Sequence, residues 1–543
     1  ATYPNGLDIE IFTYSGLHKV YKDCKNSFGK EHVTPFFKIS NKIKFKNKFN
    51  DENLSKLRLT LDLKNDYDLI KKIFKIFKYN YNISILKNLN NKKIINLFIK
   101  DIKKTKQLEN KIKKSISIWN KAQCLIPSGN HLLSKNPKSY VEKIWPCYFK
   151  RAKGYKIEDV DGNMYNDFST MGIGTNILGY SNSEVNKSVI ASINKGNIST
   201  LNSYEEVELA EKILDLHPGL EMARFAKTGG EANAIAIRLA RAATGKDNVA
   251  ICGYHGWHDW YLAVNLNKKD NLDNHLIEGL NISGVPKKLK NTTFPFTYGN
   301  FNQLKNLVEK KNIGIIKMEV CRNTLPDIDF LKKVRHLANQ NKIVLIFDEC
   351  TTGFRKTFGG LYKSINIKPD VLILGKALSN GYSLTAVLGI KEVMSSLEKS
   401  FVSSTFWTER TGFVAAIKTL ELMDKYKSWK VIDNIGQKIQ KNWKKIFSGI
   451  DFTINGIPSL TNFTFNHENN LEFKTFIIQQ MLKQNILATN TFYVALPHKS
   501  ANFENYYSTL YNCSKIIKQC ILGDCIENYL DYKNIIKPFK RLN

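Results

Sequence analysis

Two charged residues stand at the ends of apolar runs, 28 positions apart in the chain. Lys376 follows DVLILG (Asp370–Gly375), and Asp348 follows KIVLIF (Lys342–Phe347). A lysine amine can condense with a carbonyl to a Schiff base, and a carboxylate can hold a ring nitrogen protonated. Lysine and aspartate delivered to one place are the working pair of a pyridoxal 5'-phosphate (PLP) site. There a protonated ring accepts the electrons left behind when a substrate carbon loses its proton. Lys376 is then expected to move that proton, with Asp348 at the ring nitrogen.

The rest of such a site has candidates too. Thr228, Gly229 and Gly230 stand directly before an amphipathic stretch beginning near Glu231. Unpaired N–H groups and the dipole at a helix start attract a phosphate, and glycine permits close approach. A simple tight turn would use the same triplet. Tyr254, in ICGYHGWHD, is placed either to lie on a ring face or to pack in the core. His255 beside it either hydrogen-bonds the cofactor or braces the loop.

These residues need elements that bring them together. Parallel α/β sheets bind ligands beyond the carboxyl ends of their strands, so two strands ending at Asp348 and Lys376 would share a crevice. NVAICGYHGWHDW (Asn248–Trp260) reads as a third strand running into a glycine and aromatic loop. EANAIAIRLARAATG reads as a helix whose apolar face is Ala232, Ile235, Ala236, Leu239, Ala240 and Ala243, with Gly245 at its C-cap. VDGNMYNDF (Val160–Phe168) reads as a hairpin-like turn and short strand. Strands alternating with helices imply an α/β fold with a large, doubly wound, mostly parallel sheet. The expected divisions are 1–78, a Lys/Asn-rich linker or helix at 79–115, a large domain at 116–390 and a smaller α+β domain at 391–543.

Composition narrows the classes. The net charge of +32 comes from 81 basic residues, of which only 10 are arginine. They are spread along the chain rather than gathered into the arginine forks that read nucleic acid, so no nucleic-acid partner is expected. Nine dispersed cysteines with no CxxC pair give no metal site and no disulfide framework, as in a reduced cytoplasmic enzyme. No eighteen-residue apolar run or signal peptide is evident, so no membrane span is expected. The start ATYPNGLD lacks an initiator methionine and suggests a truncated or processed beginning.

DVDGNMYNDF, TGGEANAIAIRLARAATG, CGYHGWHDWY, FDECTTGFR and PDVLILGKALSNG, in this order, resemble class III (subgroup II) aminotransferases, and among them the glutamate-1-semialdehyde aminomutase branch. The similarity covers about residues 120 to 500. It implies the type I PLP-dependent transferase fold and a homodimer with shared active sites. It also implies Lys376 as the Schiff-base lysine, Asp348 at the pyridine nitrogen, Tyr254 on the ring and Gly229–Gly230 at the phosphate. Thr405 matches the family's threonine that reaches the phosphate from the opposite subunit.

Departures accompany the likeness. Thr228-Gly229-Gly230 stands where Ser-Gly-Thr is usual, and Glu319-Val320-Cys321-Arg322 where Glu-Pro is usual. The aminomutase arginine for the substrate carboxylate is missing from IPSGNHLLSKNP, where Lys135 is nearest. Glu319, Arg322 and Arg410 join Lys135 as candidate substrate contacts. The first segment (YPNGLDIEIF, EHVTPFF, LRLTLDLKNDYDLI) resembles the carboxyl-terminal part of acylneuraminate and spore-coat-polysaccharide cytidylyltransferases, without their Gly-rich nucleotide loop. That implies a partial α/β nucleotidyltransferase segment. The expected activity is transfer of an amino group from a small-molecule donor such as glutamate to a carbonyl acceptor, in sugar-nucleotide or surface-polysaccharide chemistry. The alternatives are a 2,1-aminomutase, or a bifunctional cytidylyltransferase–aminotransferase on a longer chain.

Overall fold

The computed structural model describes residues 13–23, 108–321 and 325–532. Of the first segment it therefore gives the helix Tyr14–Asp23, and the remaining expectations for residues 1–78 and most of 79–115 lie outside the described residues.

Three sheets organise the described residues. The hairpin reading at Val160–Phe168 corresponds to the turn between β2 (Lys156–Asp159) and β3 (Met164–Asp167), with β1 (Phe149–Lys153) on the other side of β2. The large sheet has seven strands. In chain order they are β4 (Met222–Ala226), β5 (Asn248–Cys252), β6 (Thr293–Pro295), β7 (Ile313–Glu319), β8 (Val344–Asp348), β9 (Val371–Leu374) and β10 (Thr385–Gly389). Their order in space is β4-β10-β9-β8-β7-β5-β6. β10 runs antiparallel to both its neighbours, β4 and β9, and the pairs from β9 through β6 are parallel. A third sheet joins β11 (Phe452–Asn455), β12 (Leu460–Phe465) and β14 (Thr491–Tyr493).

The central strands β7, β8, β9 and β10 are buried along their whole length, as near-continuous apolar runs in a sheet covered on both faces require. Alternation sends Leu345 and Phe347 of β8 to one face and Val344 and Ile346 to the other. The second face receives the helix Gly229–Thr244 through Ala232, Ile235, Ala236, Leu239 and Ala240. Ala243 is exposed, contrary to its expected place on the buried face, while Asn233 and Ile237 are buried. The helix begins two residues before Glu231 because Thr228 caps it and Glu231 reaches back in a capping box. Gly245 closes it at φ +62.

The sheet of β1–β3 gains its fourth strand from far along the chain: β13 (Ile486–Leu487) lies parallel to β3. No helix among the described residues is long and apolar enough to cross a membrane.

Candidate active site

Parallel strands put their carboxyl ends at one edge, so β4 leads to Thr228, β5 to Tyr254 and His255, β7 to Glu319, β8 to Asp348 and β9 to Lys376. Glu319 is paired in register with Asp348, and Asp348 with Ile373, three residues before Lys376. Antiparallel β10 starts at the same edge, where the Thr385 hydroxyl donates to the Thr228 carbonyl at 3.2 Å. Cys350 marks the meeting point. A Cβ built on Gly229 would lie 3.7 Å from its sulfur, and one on Gly375 would lie 3.2 Å from it.

Asp348 is buried, and its polar neighbours fix its charge. His255 Nδ1 lies 2.9 Å from Oδ2, the Cys350 N–H donates to Oδ1 at 3.2 Å, and Lys317 Nζ stands 3.7 Å from Oδ2. Burial alone would raise the carboxyl, but Lys317 and His255 together hold it well below the usual carboxylate range. His255 is completely buried, with Nε2 3.1 Å from the Cys252 carbonyl.

Lys376 sits in the left-handed region at φ +42, just past extended Gly375, and opens the short turn Lys376–Ser379. Its ammonium donates to the Thr351 hydroxyl at 2.7 Å. Tyr254 is half-buried, edge-on to Tyr261, and its N–H donates to Glu319 Oε2 at 3.0 Å. Glu319 therefore braces the loop that carries Tyr254. Gly253 makes room for this at φ +106, since a Cβ there would fall 2.5 Å from Glu319 Oε2.

At the helix start the Thr228 hydroxyl takes the Glu231 N–H, and Glu231 in turn accepts the Thr228 N–H at 2.7 Å and the Trp407 indole N–H at 3.0 Å. The first N–H groups of a helix, here Gly229 and Gly230, precede its internal ladder. The loop behind them is tight. A Cβ on Gly230 would meet His258 at 2.7 Å, and one on Gly256, at φ +97, would meet Gly230 Cα at 3.0 Å.

Lys135, Arg410 and Thr405 are carried by other segments. Lys135 is exposed on the short turn Leu133–Lys135. Arg410 is engaged by the buried Glu205 carboxylate and by the Gly196 carbonyl at 3.1 Å. Thr405 is exposed at the start of the turn Thr405–Thr408. Arg322 falls outside the described residues. Sequence reading missed Lys317, Thr351 and Cys350. Only Lys317 carried a signal: a lysine inside the apolar run IGIIKMEV, two residues from Glu319 and so on its face.

Residues 138–484 match the family model described as Aminotransferase class-III. The chain belongs to the class-III aminotransferases. It is 34% identical over 391 residues to a 3-aminobutyryl-CoA aminotransferase of Cloacimonas acidaminovorans, covering 69% of this chain and 90% of that protein. A glutamate-1-semialdehyde 2,1-aminomutase of Methanococcoides burtonii is 30% identical over 366 residues, covering 64% of this chain and 83% of the relative. Among solved structures, the PLP internal aldimine form of the FumI protein of Sphingopyxis sp. MTA144 superposes with a TM-score of 0.69. It shares 20% identity and covers 77% of this chain and 99% of that one, a likeness of fold. As a class-III aminotransferase the chain is a PLP-dependent enzyme. Its donor set suits that cofactor: a buried anionic carboxylate, a lysine amine one strand away and a glycine-lined helix start.

Proposed function

We propose that this aminotransferase takes the amino group of glutamate and passes it to a carbonyl acceptor, with Lys376 and Asp348 as its working pair. The convergence of their strands at one sheet edge, with Lys376 Nζ on the Thr351 hydroxyl and Asp348 held anionic, supports the working pair, and glutamate is the donor to test first. PLP, when bound, supplies the electron sink for a carbon that has lost a proton. Lys376 carries the cofactor and moves that proton on and off Nζ. Thr351 accepts from Nζ and aims the amine. Asp348 holds the ring nitrogen, and His255 holds Asp348. The N–H groups of Gly229 and Gly230, with Thr228, bind the phosphate, and Tyr254 packs on the ring.

Of the candidate cations Arg410 is already paired with Glu205, so Lys135 and Arg322 are the proposed contacts for a substrate anion. The active unit is a cytoplasmic homodimer in which Thr405 of one copy completes the phosphate site of the other. Support comes from the exposure of Leu201, Trp257, Phe401 and Phe406, large apolar side chains that a partner would cover. A keto sugar or its precursor is the first acceptor to test, on the resemblance of residues 1–78. A CoA-linked 3-oxoacyl compound is the second, on the name of the Cloacimonas relative.

The test is a half-reaction. PLP-loaded protein mixed with excess glutamate and no acceptor should release one 2-oxoglutarate per chain as the cofactor absorbance changes. Absence of keto acid overturns the glutamate reading. The aminomutase reading, favoured by the similarity to the Methanococcoides burtonii protein, would then be tested by mixing with glutamate 1-semialdehyde.

A further inference from the structure

Lys317 is the one lysine buried within the central strands among the described residues. It stands on β7, completely buried, and its Nζ finds no hydrogen-bond acceptor there. The nearest opposite charge is Asp348 Oδ2 at 3.7 Å, an ion-pair distance rather than a hydrogen bond. The same oxygen faces His255 Nδ1 at 2.9 Å. Both partners of the His255 ring, Asp348 and the Cys252 carbonyl, are acceptors, so the neutral ring, which burial favours, donates to only one of them and leaves Asp348 in need of a cation.

One buried carboxylate thus confronts two bases. The other titratable groups facing Lys317 are Glu319 on its own strand and Cys350 after β8. Burial disfavours the charged form of both Lys317 and His255, and each also repels the other's charge. Two buried cations beside a single anion are costly, whereas one cation balances it. The cluster therefore has room for one counter-charge, and a cofactor ring nitrogen carrying a proton would be a further claimant.

We propose that Lys317 is a positioning residue that supplies the counter-charge of Asp348 until PLP binds, and then gives its proton to solvent as the protonated ring takes over. This rests on the assignment of Asp348 to the ring nitrogen. The proton balance is simple: the ammonium loses one proton to water and remains as a neutral amine behind Asp348. Lys317 thereby keeps the empty site from burying an unpaired carboxylate, and PLP binding becomes linked to proton release.

Calorimetric titration of PLP into the cofactor-free full chain, in two buffers of different ionisation enthalpy, counts those protons. At about pH 8, above the ordinary histidine range, the native protein should release one proton more than Lys317→Met. Protons exchanged at Lys376 are common to both and cancel. Lys317→Arg preserves the ion pair in the empty site but cannot give up its charge. It should show the same missing proton and bind PLP at least about tenfold more weakly, because a fixed cation stays beside the ring. Equal proton counts in all three proteins, or native-like affinity in Lys317→Arg, would overturn the inference. If the native chain takes up no PLP, the assignment of Asp348 falls and the inference with it.

Discussion

Acid should weaken this protein through His217, and the size of the effect follows from its surroundings. The ring is completely buried and stacks on Tyr362 with centroids 5.7 Å apart, and its Nδ1 lies 2.9 Å from the Tyr362 hydroxyl. Nε2 is buried without a hydrogen-bond partner among the described residues and is walled in by Gly359, where a Cβ would approach it to 3.1 Å. A second ring proton would thus meet no acceptor. Burial, helped by the charge of Lys363, pushes the imidazole down to about 3 from its ordinary 6.5. A base depressed in the folded state stabilises fully above its unfolded value and loses that contribution as pH falls, because the unfolded chain binds the proton first. Between about pH 8 and about pH 5 the loss is about 2 kcal/mol for this one group. Urea unfolding of the cofactor-free protein, followed by far-ultraviolet circular dichroism at both pH values, measures it. His275 and His498, both buried and lowered to about 4, add their own losses, but these persist when His217 is changed. His217→Asn should therefore shrink the pH-dependent difference by about 2 kcal/mol relative to the native chain. An unchanged difference would refute the argument that the buried ring stays neutral.

Asp348→Asn leaves Lys317 buried without its counter-charge, at a cost of about 3–5 kcal/mol before Lys317 gives up its proton, and turnover with PLP and glutamate should fall further than stability; steady-state rates beside thermal unfolding compare the two. Gly253→Ala meets Glu319 Oε2 at 2.5 Å from a backbone at φ +106. It should cost about 1–3 kcal/mol and weaken PLP binding by displacing Tyr254, read from the midpoint of unfolding and the dissociation constant of PLP. Thr351→Val removes the acceptor 2.7 Å from Lys376 Nζ without removing the amine. It should lower kcat by about tenfold, the worth of one ordinary hydrogen bond, with little change in KM for the donor; a native kcat would remove Thr351 from the mechanism.

Much of the sheet was legible because its strands are short apolar runs punctuated at their ends. Asp348 and Lys376 close two of them, and the glycine and aromatic loop after Cys252 closes a third. The helix after Thr228 was legible for its period, though its first turn was not. The cap and the Glu231 bond back to it draw Gly229 and Gly230 into the helix. Ala243 fell on the expected apolar face yet is exposed, because alanine satisfies a helical pattern whether or not anything packs on it.

By itself the sequence determined which chemical groups stand at the ends of which strands, since strand ends are local properties of hydrophobic runs and turn residues. Tertiary structure alone decided what those groups face. The pairing of β13 with β3 across more than half the described chain, the reversal of β10, the capture of Arg410 by Glu205 and the placing of Lys317 behind Asp348 all join distant positions. No local period encodes such contacts. They follow from how sheet and helices pack, and there burial turns an unremarked lysine into a neighbour that helps set the charge of the site.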